Sequence, residues 1–217
     1  MRLSGRFGIT RRVALAGILG GVLVIAALGG RPAVADEGAG KFIEILGERA
    51  VDVLRDKANT TFATREAAFR ELLVDGFHMP TISRFVIGRY WRAANEEQRE
   101  DYNAVFVDFI TRVYAARFDA YNGEVFEVLQ VLKEEESGDS IVRTQILRPG
   151  GGSPIGVDYR VRKIKGAYKV VDVNVEGISM LHTHRVEFAS VINKKGMDGF
   201  LEMLHARVEA PVEENGG

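Results

Sequence analysis

The longest amphipathic pattern in the chain begins after Asn95. Apolar side chains then recur at steps of three and four residues, which predicts one helix from 96 to about 121. Its apolar face is unusually aromatic: Tyr102, Val105, Phe106, Phe109, Ile110, Val113, Tyr114, Phe118 and Tyr121. Asn95 and Gln98 are spaced as a capping box, so the helix is expected to begin directly after Asn95.

Three shorter helices are predicted before this one. Apolar residues at helical spacing indicate a helix over about 41–58. Thr64 is a plausible N-cap for a second helix that ends near Asp75-Gly76. Pro80 suits the first turn of a third, short helix that ends near Gly88.

The hydrophobic period changes from helix to strand at Asn122-Gly123. Strands are expected over about 124–133, 140–148, 155–161 and 168–175, separated by short turns rich in glycine. Strands that follow one another through short turns form an antiparallel meander. Ser179 is then expected to cap a helix that stops at Lys195-Gly196, before a last helix beginning near Asp198. The pattern predicts an α+β fold, in which N-terminal helices precede one four-stranded antiparallel sheet and C-terminal helices pack back onto the sheet.

The first 35 residues have the composition of an export signal. They carry five arginines and no acidic residue, and an uncharged apolar run over 13–28 is followed by Ala33-Val34-Ala35. This order is typical of a signal peptide cleaved after Ala35, with a domain over 36–210 and a flexible tail over 211–217. Arg11-Arg12 resembles a twin-arginine signal, although Ala14 replaces a frequent phenylalanine, so the general secretory route also stays open.

Charge and composition exclude several classes of protein. The 217 residues include 29 basic and 30 acidic side chains, so the part after the signal holds 24 basic and 30 acidic groups, a net charge of −6. Such an acidic body is unsuited to nucleic acid, whose phosphates are bound by Lys and Arg. Cysteine is absent, which excludes a disulfide scaffold, thiol catalysis and Cys-ligated zinc.

Catalytic and metal-binding signatures are not found. His182 and His184 are two residues apart, so on a helix they point in different directions and share a metal poorly. No nucleophile-elbow motif is present, and the glycines at 150–152 lie between strands instead of leading from a strand into a helix. Asp172 and Glu176 are a possible acid pair, but structural or exposed carboxylates are the commoner outcome. No metal, no cofactor and no enzymatic activity are expected.

A basic and aromatic cluster occupies residues 84–92. It contains Arg84, Arg89, Tyr90, Trp91 and Arg92. One interpretation is a helix end whose arginines reach into solvent. The other is an entrance or partner surface that meets anionic groups such as lipid phosphates.

Two stretches resemble the MlaC family of periplasmic phospholipid-binding proteins, also called toluene-tolerance proteins. The first is Gly88-Arg89-Tyr90-Trp91 with Gln98-Arg99-Glu100 and the long aromatic helix. The second is the segment 168–180 with Arg185 and Phe188, followed by 196–200. The order and spacing of these motifs extend over about residues 40–208.

The resemblance implies a carrier in the periplasm that shuttles a phospholipid between outer- and inner-membrane complexes. The implied partners are an inner-membrane ABC lipid-transport complex and an outer-membrane lipoprotein complex, with transient membrane-side contact and a monomeric state. The implied fold resembles a nuclear-transport-factor-like sheet with added helices, and the acyl chains lie between the two. A hopanoid-associated branch of the same family would carry a hopanoid instead.

Hiding two acyl chains, about 30 methylenes, from water is worth roughly 25 kcal/mol of transfer energy, which requires a deep, enclosed pocket. The predicted lipid-binding residues are the apolar side chains of the helices and of the third and fourth strands. They are Phe85, Phe106, Phe109, Ile110, Val113, Tyr114, Phe118, Val157, Tyr159, Val161 and Val173. Close packing of the same residues in an ordinary core is the alternative.

Two further functions stay open at this stage. One is an isomerase or dehydratase of the nuclear-transport-factor-like fold, which needs an inward-facing His or carboxylate. The clean alternation over 155–161 offers none on its apolar face. The other is a periplasmic interaction module with a filled core and a flat apolar patch.

Overall fold

A computed structural model of the chain describes residues 36–55, 60–115 and 120–211. The predicted signal peptide over 1–35 and residues 212–217 of the predicted tail lie outside these ranges. The described helices and strands, in chain order, are α1 (Glu37–Arg55), α2 (Phe62–Gly76), α3 (Met79–Ile87), α4 (Arg89–Ala93), α5 (Glu96–Ala115), β1 (Val125–Lys133), β2 (Ser140–Leu147), β3 (Ile155–Ile164), β4 (Ala167–Val175), β5 (Ile178–Ser179) and α6 (Met180–Glu209). None of the described helices combines the length and the apolar character that crossing a membrane requires.

Helix α5 begins as the capping box predicts. The Asn95 backbone N–H donates to Gln98 Oε1 at 3.0 Å, and the Gln98 N–H donates to Asn95 Oδ1 at 2.8 Å, so both side chains satisfy exposed backbone donors. The helix is described to Ala115, whereas Tyr121, the predicted end, is not helical. Phe118 lies outside the described residues.

Helices α2 and α3 are capped by side chains that precede them. Thr61, and not the predicted Thr64, caps α2, since its Oγ1 accepts a hydrogen bond from the Thr64 backbone N–H at 3.2 Å. His78 caps α3 by accepting from the Thr81 N–H through Nδ1, also at 3.2 Å. Gly88 ends α3 in a conformation with φ of 52°, which favours glycine.

The sheet is an antiparallel meander in the order β1-β2-β3-β4-β5. It has five strands where four were predicted, because Ile178 and Ser179 pair back onto the end of β4. One of the predicted short turns, Lys165-Gly166, joins β3 to β4, and both residues have positive φ, as a two-residue hairpin turn of this type requires. The predicted α+β class is confirmed.

The last helix packs back on the preceding elements as predicted, but it is one interrupted element. Ser179 caps it by accepting from the His182 backbone N–H at 3.0 Å. Gly196 has φ of 73° and ψ of −179° inside α6, so the expected stop is a kink between two helical halves.

Two hydrophobic clusters form the interior. The first joins α3, α5 and α6 and is centred on the fully buried Phe106 and Phe200. The second joins α1 to the inner face of the sheet and includes Ile43 and Val142. Phe69 and Phe77 pack against both clusters, so the space between them lies at the centre of the fold.

Two carboxylates fasten the ends of the sheet. Asp36 accepts hydrogen bonds from the Tyr168 hydroxyl at 2.6 Å and the Ser140 hydroxyl at 2.9 Å, which ties the start of α1 to β4 and β2. Asp139 is 1% exposed and accepts from the Arg162 guanidinium at 2.8 Å through both oxygens, with Arg160 at 3.4 Å. Burial by itself raises the pKa of Asp139, but the two guanidinium groups outweigh it and hold the pKa below its ordinary value.

Candidate functional site in an apolar cavity

A cavity of about 240 Å³ lies between the sheet and the helical layer. Its walls come from α1, α2, α3, α5, the start of α6, and strands β3 and β4. Almost all of its lining is apolar: Ile43, Leu46, Gly47, Ala50, Phe69, Leu72, Leu73, Phe77, Met79, Ile82, Val86, Phe106, Ile110, Tyr114, Tyr159, Val171, Asp172, Val173, Val175, Met180, Leu181 and His184. Such a space excludes ions and favours hydrocarbon.

Helix α5 divides its apolar side between the cavity and the core. Phe106, Ile110 and Tyr114 are four residues apart, so they form one row along the helix, and this row lines the cavity. Phe109 belongs to the neighbouring row and faces α6, where its ring centroid lies 5.5 Å from that of Phe188. Val113 also packs against the helical cluster.

The predicted lipid-binding residues therefore separate into two sets. Phe106, Ile110, Tyr114, Tyr159 and Val173 line the cavity. The described residues that do not line it are Phe85, Phe109, Val113, Val157 and Val161.

Packing explains why the residues of the second set on β3 and α3 do not line the cavity. Val161 is buried against α1 in the sheet-side cluster, and Val157 is buried in β3 away from the cavity wall. Phe85 points outward and is 42% exposed, with the Arg185 guanidinium 4.7 Å from its ring centroid. A half-exposed ring stacked under a cation is surface structure, so Phe85 is not placed to meet a ligand in the cavity.

The predicted entrance residues do not line the cavity either. Arg84 lies over the Trp91 ring at 5.0 Å, and Arg89 lies over the Tyr90 ring at 4.9 Å. The Tyr90 hydroxyl donates to Asn193 Oδ1 at 2.7 Å, which joins α4 to α6. Arg92 is exposed at the surface. These contacts give the arginine and aromatic side chains a role at a helix junction, and contact with a partner stays a prediction.

The walls from α1, α2 and the start of α6 were not predicted. Ile43, Leu46 and Ala50 on α1 have ordinary amphipathic spacing, as do Phe69 and Leu72 on α2. Hydrophobic spacing identifies the inward face of a helix, but the same face results whether it meets close-packed side chains or empty space. Only the placement of the surrounding elements relative to one another distinguishes the two.

Four polar side chains interrupt the apolar lining. Tyr114 and His184 face each other, with the hydroxyl 3.3 Å from Nε2. The Asp172 carboxylate accepts from the Ser179 hydroxyl at 2.8 Å and from the Val173 backbone N–H at 2.8 Å, so it holds β5 and the start of α6 against β4. The fourth is Tyr159, on β3.

Tyr159 differs from the other three polar side chains of the lining because its surroundings are apolar. Its ring packs edge-on against Phe126, with centroids 6.2 Å apart, and the residue lines the cavity among aliphatic side chains. Burial in this apolar setting raises the pKa of Tyr159 to about 12. The hydroxyl is therefore protonated at any physiological pH and available as a hydrogen-bond donor.

The possible acid pair does not form, and the described residues contain no metal-binding cluster. Asp172 and Glu176 do not pair, because Asp172 serves the start of α6 while Glu176 accepts a hydrogen bond from the Gly156 N–H. His205 pairs with Asp101 at 2.7 Å on the surface. Across 36–55, 60–115 and 120–211, no three His, Asp or Glu side chains lie close enough to hold a metal ion.

Comparison with known proteins gives consistent matches. The sequence model of one family, described as MlaC protein, matches residues 46–206. The intermembrane phospholipid transport system binding protein MlaC of Haemophilus influenzae is 28% identical over 132 residues, which are 58% of this chain and 60% of that protein. The chain thus matches about three fifths of the length of this relative. A solved structure of a phospholipid-binding protein from Ralstonia solanacearum, in complex with a phospholipid, superposes with a TM-score of 0.69 at 21% identity, and covers 78% of this chain and 96% of that one.

Proposed function

The chain belongs to the MlaC family, and from this premise and its cavity we propose that it is a non-enzymatic phospholipid carrier. The acyl chains of one phospholipid would lie between the helical layer and the sheet. The observation that carries the proposal is the apolar cavity between the two hydrophobic clusters, which would otherwise be an unfilled defect in the core. Close packing is the rule in protein interiors, so a void of this size indicates space kept for a ligand.

The relatives support the same ligand class. The Haemophilus influenzae protein is named for intermembrane phospholipid transport, and the Ralstonia solanacearum protein was solved with a phospholipid bound. Carried over to this chain, these names favour a diacyl phospholipid. They also favour a cycle in which the protein takes up lipid at one membrane complex and delivers it at another.

The size of the cavity constrains how it is loaded. An apolar cavity of about 150 Å³ holds one benzene molecule, so on that scale about 240 Å³ holds roughly ten carbon atoms. Two acyl chains bring about 30 methylenes, and their transfer from water is worth roughly 25 kcal/mol. We infer that the helical layer and the sheet separate on loading, and that part of this transfer energy is spent on breaking the contacts between them.

The N-terminal sequence and the family support a proposed compartment and proposed partners. An export signal with Arg11-Arg12 would deliver the mature chain to the periplasm by the twin-arginine or the general secretory route. There it would exchange lipid with an inner-membrane ABC transport complex and an outer-membrane lipoprotein complex, as a monomer in transient contact with each. A hopanoid is the alternative cargo for a branch of the family.

Lipid transfer between vesicles tests the carrier function. Donor vesicles hold a self-quenched fluorescent phospholipid, acceptor vesicles hold none, and fluorescence recovery is followed as the purified chain is added. The proposal predicts a transfer rate proportional to protein concentration, and chloroform extracts of the protein that contain phospholipid. Extracts that contain only hopanoid would show that the chain carries a hopanoid instead of a phospholipid. Extracts without lipid, together with no acceleration, would refute the carrier function.

A further inference from the structure

The hydroxyl of Tyr159 differs from every other tyrosine hydroxyl of the chain. All six tyrosines lie in the described residues, and five of their hydroxyls have a hydrogen-bonding partner. The partners are Asn193 for Tyr90, the Ser83 carbonyl for Tyr102, His184 for Tyr114, the Glu124 carbonyl for Tyr121 and Asp36 for Tyr168. Among the described residues no group accepts from Tyr159, and burial alone accounts for its raised pKa.

This hydroxyl lies where a ligand can reach it. Tyr159 lines the cavity, and its strand neighbours in the register are Val142 and Val173, which have no polar side-chain atoms. A hydroxyl that lines an apolar cavity without a partner is less stable than a bonded one. A sequence that only needed to fill this wall would gain from phenylalanine, which fits the same space without the polar atom.

We propose that Tyr159 donates a hydrogen bond to an ester carbonyl of the bound lipid, and so makes the cavity selective for ester-linked lipids. The proposal rests on the proposed phospholipid cargo and adds to it the contact by which the protein recognises the glycerol ester. An uncharged acceptor fits this wall better than a phosphate, because an ionised group loses far more on leaving water for aliphatic surroundings. Ether lipids have no carbonyl at this place and would leave the hydroxyl unbonded.

The test is a competition between two lipids in one sample. Delipidated protein is incubated with vesicles that contain equal amounts of dipalmitoyl phosphatidylethanolamine and its dihexadecyl diether analogue, and native mass spectrometry reports the ratio of the two loaded complexes. The two lipids share head group and chain length and differ in the carbonyls. We expect the wild-type chain to favour the diester about 3- to 10-fold, which corresponds to one net hydrogen bond. In Tyr159→Phe the ratio should fall to about 1.

Tyr102→Phe is the control, because it makes the same chemical change at a buried tyrosine whose hydroxyl donates to the Ser83 carbonyl at 3.0 Å outside the cavity. It should keep the wild-type lipid ratio and lower the melting temperature of the lipid-free chain, whereas Tyr159→Phe should leave that temperature unchanged or raise it. An unchanged lipid ratio in Tyr159→Phe would overturn the proposal, as would a loss of stability equal to that of Tyr102→Phe. If neither lipid loads into the wild-type chain, the carrier function itself fails and this inference with it.

Discussion

Filling the cavity from Ala50 should abolish lipid loading while stabilising the empty fold. Ala50 lies on α1 at the cavity wall and is half-buried. Ala50→Phe adds one phenyl ring, and a benzene ring occupies a cavity of about 150 Å³. Of about 240 Å³ in the closed structure this leaves about 90 Å³, so the ring occupies the space that the acyl chains enter and the two layers would have to separate further on loading.

The stability change follows from the same geometry. A ring that enters an existing void gains apolar burial without displacing neighbours, and cavity-filling substitutions commonly add about 0.5–2 kcal/mol. For a chain of this size each kcal/mol raises the melting temperature by about 2–4 °C. We therefore expect a rise of roughly 2–6 °C for the lipid-free variant by calorimetry, and an unloaded mass by native mass spectrometry.

The control is Ala104→Phe, which makes the same chemical change on an exposed position of α5. Ala104→Phe lowers the helix propensity by the same amount as Ala50→Phe but leaves the cavity open, so lipid loading should be normal. If Ala50→Phe loses stability, Ala50→Leu provides a smaller filling of the same wall. Normal loading by a stable Ala50→Phe chain would show that the acyl chains bind elsewhere, and would refute the reasoning.

The remaining predictions concern the helix junction and the sheet anchor. Asp139→Asn should destabilise the chain by about 1–3 kcal/mol in urea, because it leaves two arginines without their buried partner, whereas the exposed Asp108→Asn should cost less than about 1 kcal/mol. Because folding lowers the pKa of Asp139, its ion pairs stabilise the chain fully above the ordinary pKa near 3.8, and this stabilisation is lost as the pH falls through the lowered pKa. If the difference in unfolding free energy between wild type and Asp139→Asn does not shrink at pH 2, the ion pair is contradicted. Gly88→Ala should cost about 1–3 kcal/mol, because φ at this position is 52°, a backbone conformation that residues other than glycine rarely adopt. A chain as stable as wild type would show that this backbone relaxes freely. Arg89→Glu should slow lipid exchange with the partner complexes and shift stability by less than about 1 kcal/mol, and unchanged exchange rates would remove α4 from the partner surface.

The helix caps and the hairpin turn could be predicted because each depends on residues that are close together in the sequence. Asn95 and Gln98 satisfy each other's backbone donors within one turn, and Lys165-Gly166 reverses the chain through the backbone dihedral angles of its own two residues. Thr61 and Thr64 show the limit of such rules. Both are good caps, and the choice between them depends on where α2 packs.

The cavity could be predicted only in part, because it is a relation between distant elements. The aromatic row of α5 was visible as a stripe, but its division into Phe106, which lines the cavity, and Phe109, which packs on Phe188, depends on where α6 lies. Of the residues that carried the resemblance, those of segment 168–180 such as Val171 and Val173 line the cavity, whereas the arginines have structural contacts. Arg99 donates to the Trp91 carbonyl at 2.9 Å, and Arg185 stacks on Phe85 beside Gly88. The motifs that identify the family therefore coincide with the cavity only in part.

Native mass spectrometry of the wild-type chain isolated from the periplasm of its own cells, without added lipid, tests the carrier account most directly. The account predicts one diacyl phospholipid per chain, released on collisional activation with the mass of an ester-linked species. The same preparation of Ala50→Phe should carry none. A wild-type chain that is fully folded, retains its activity in the cell and carries no lipid would contradict the account.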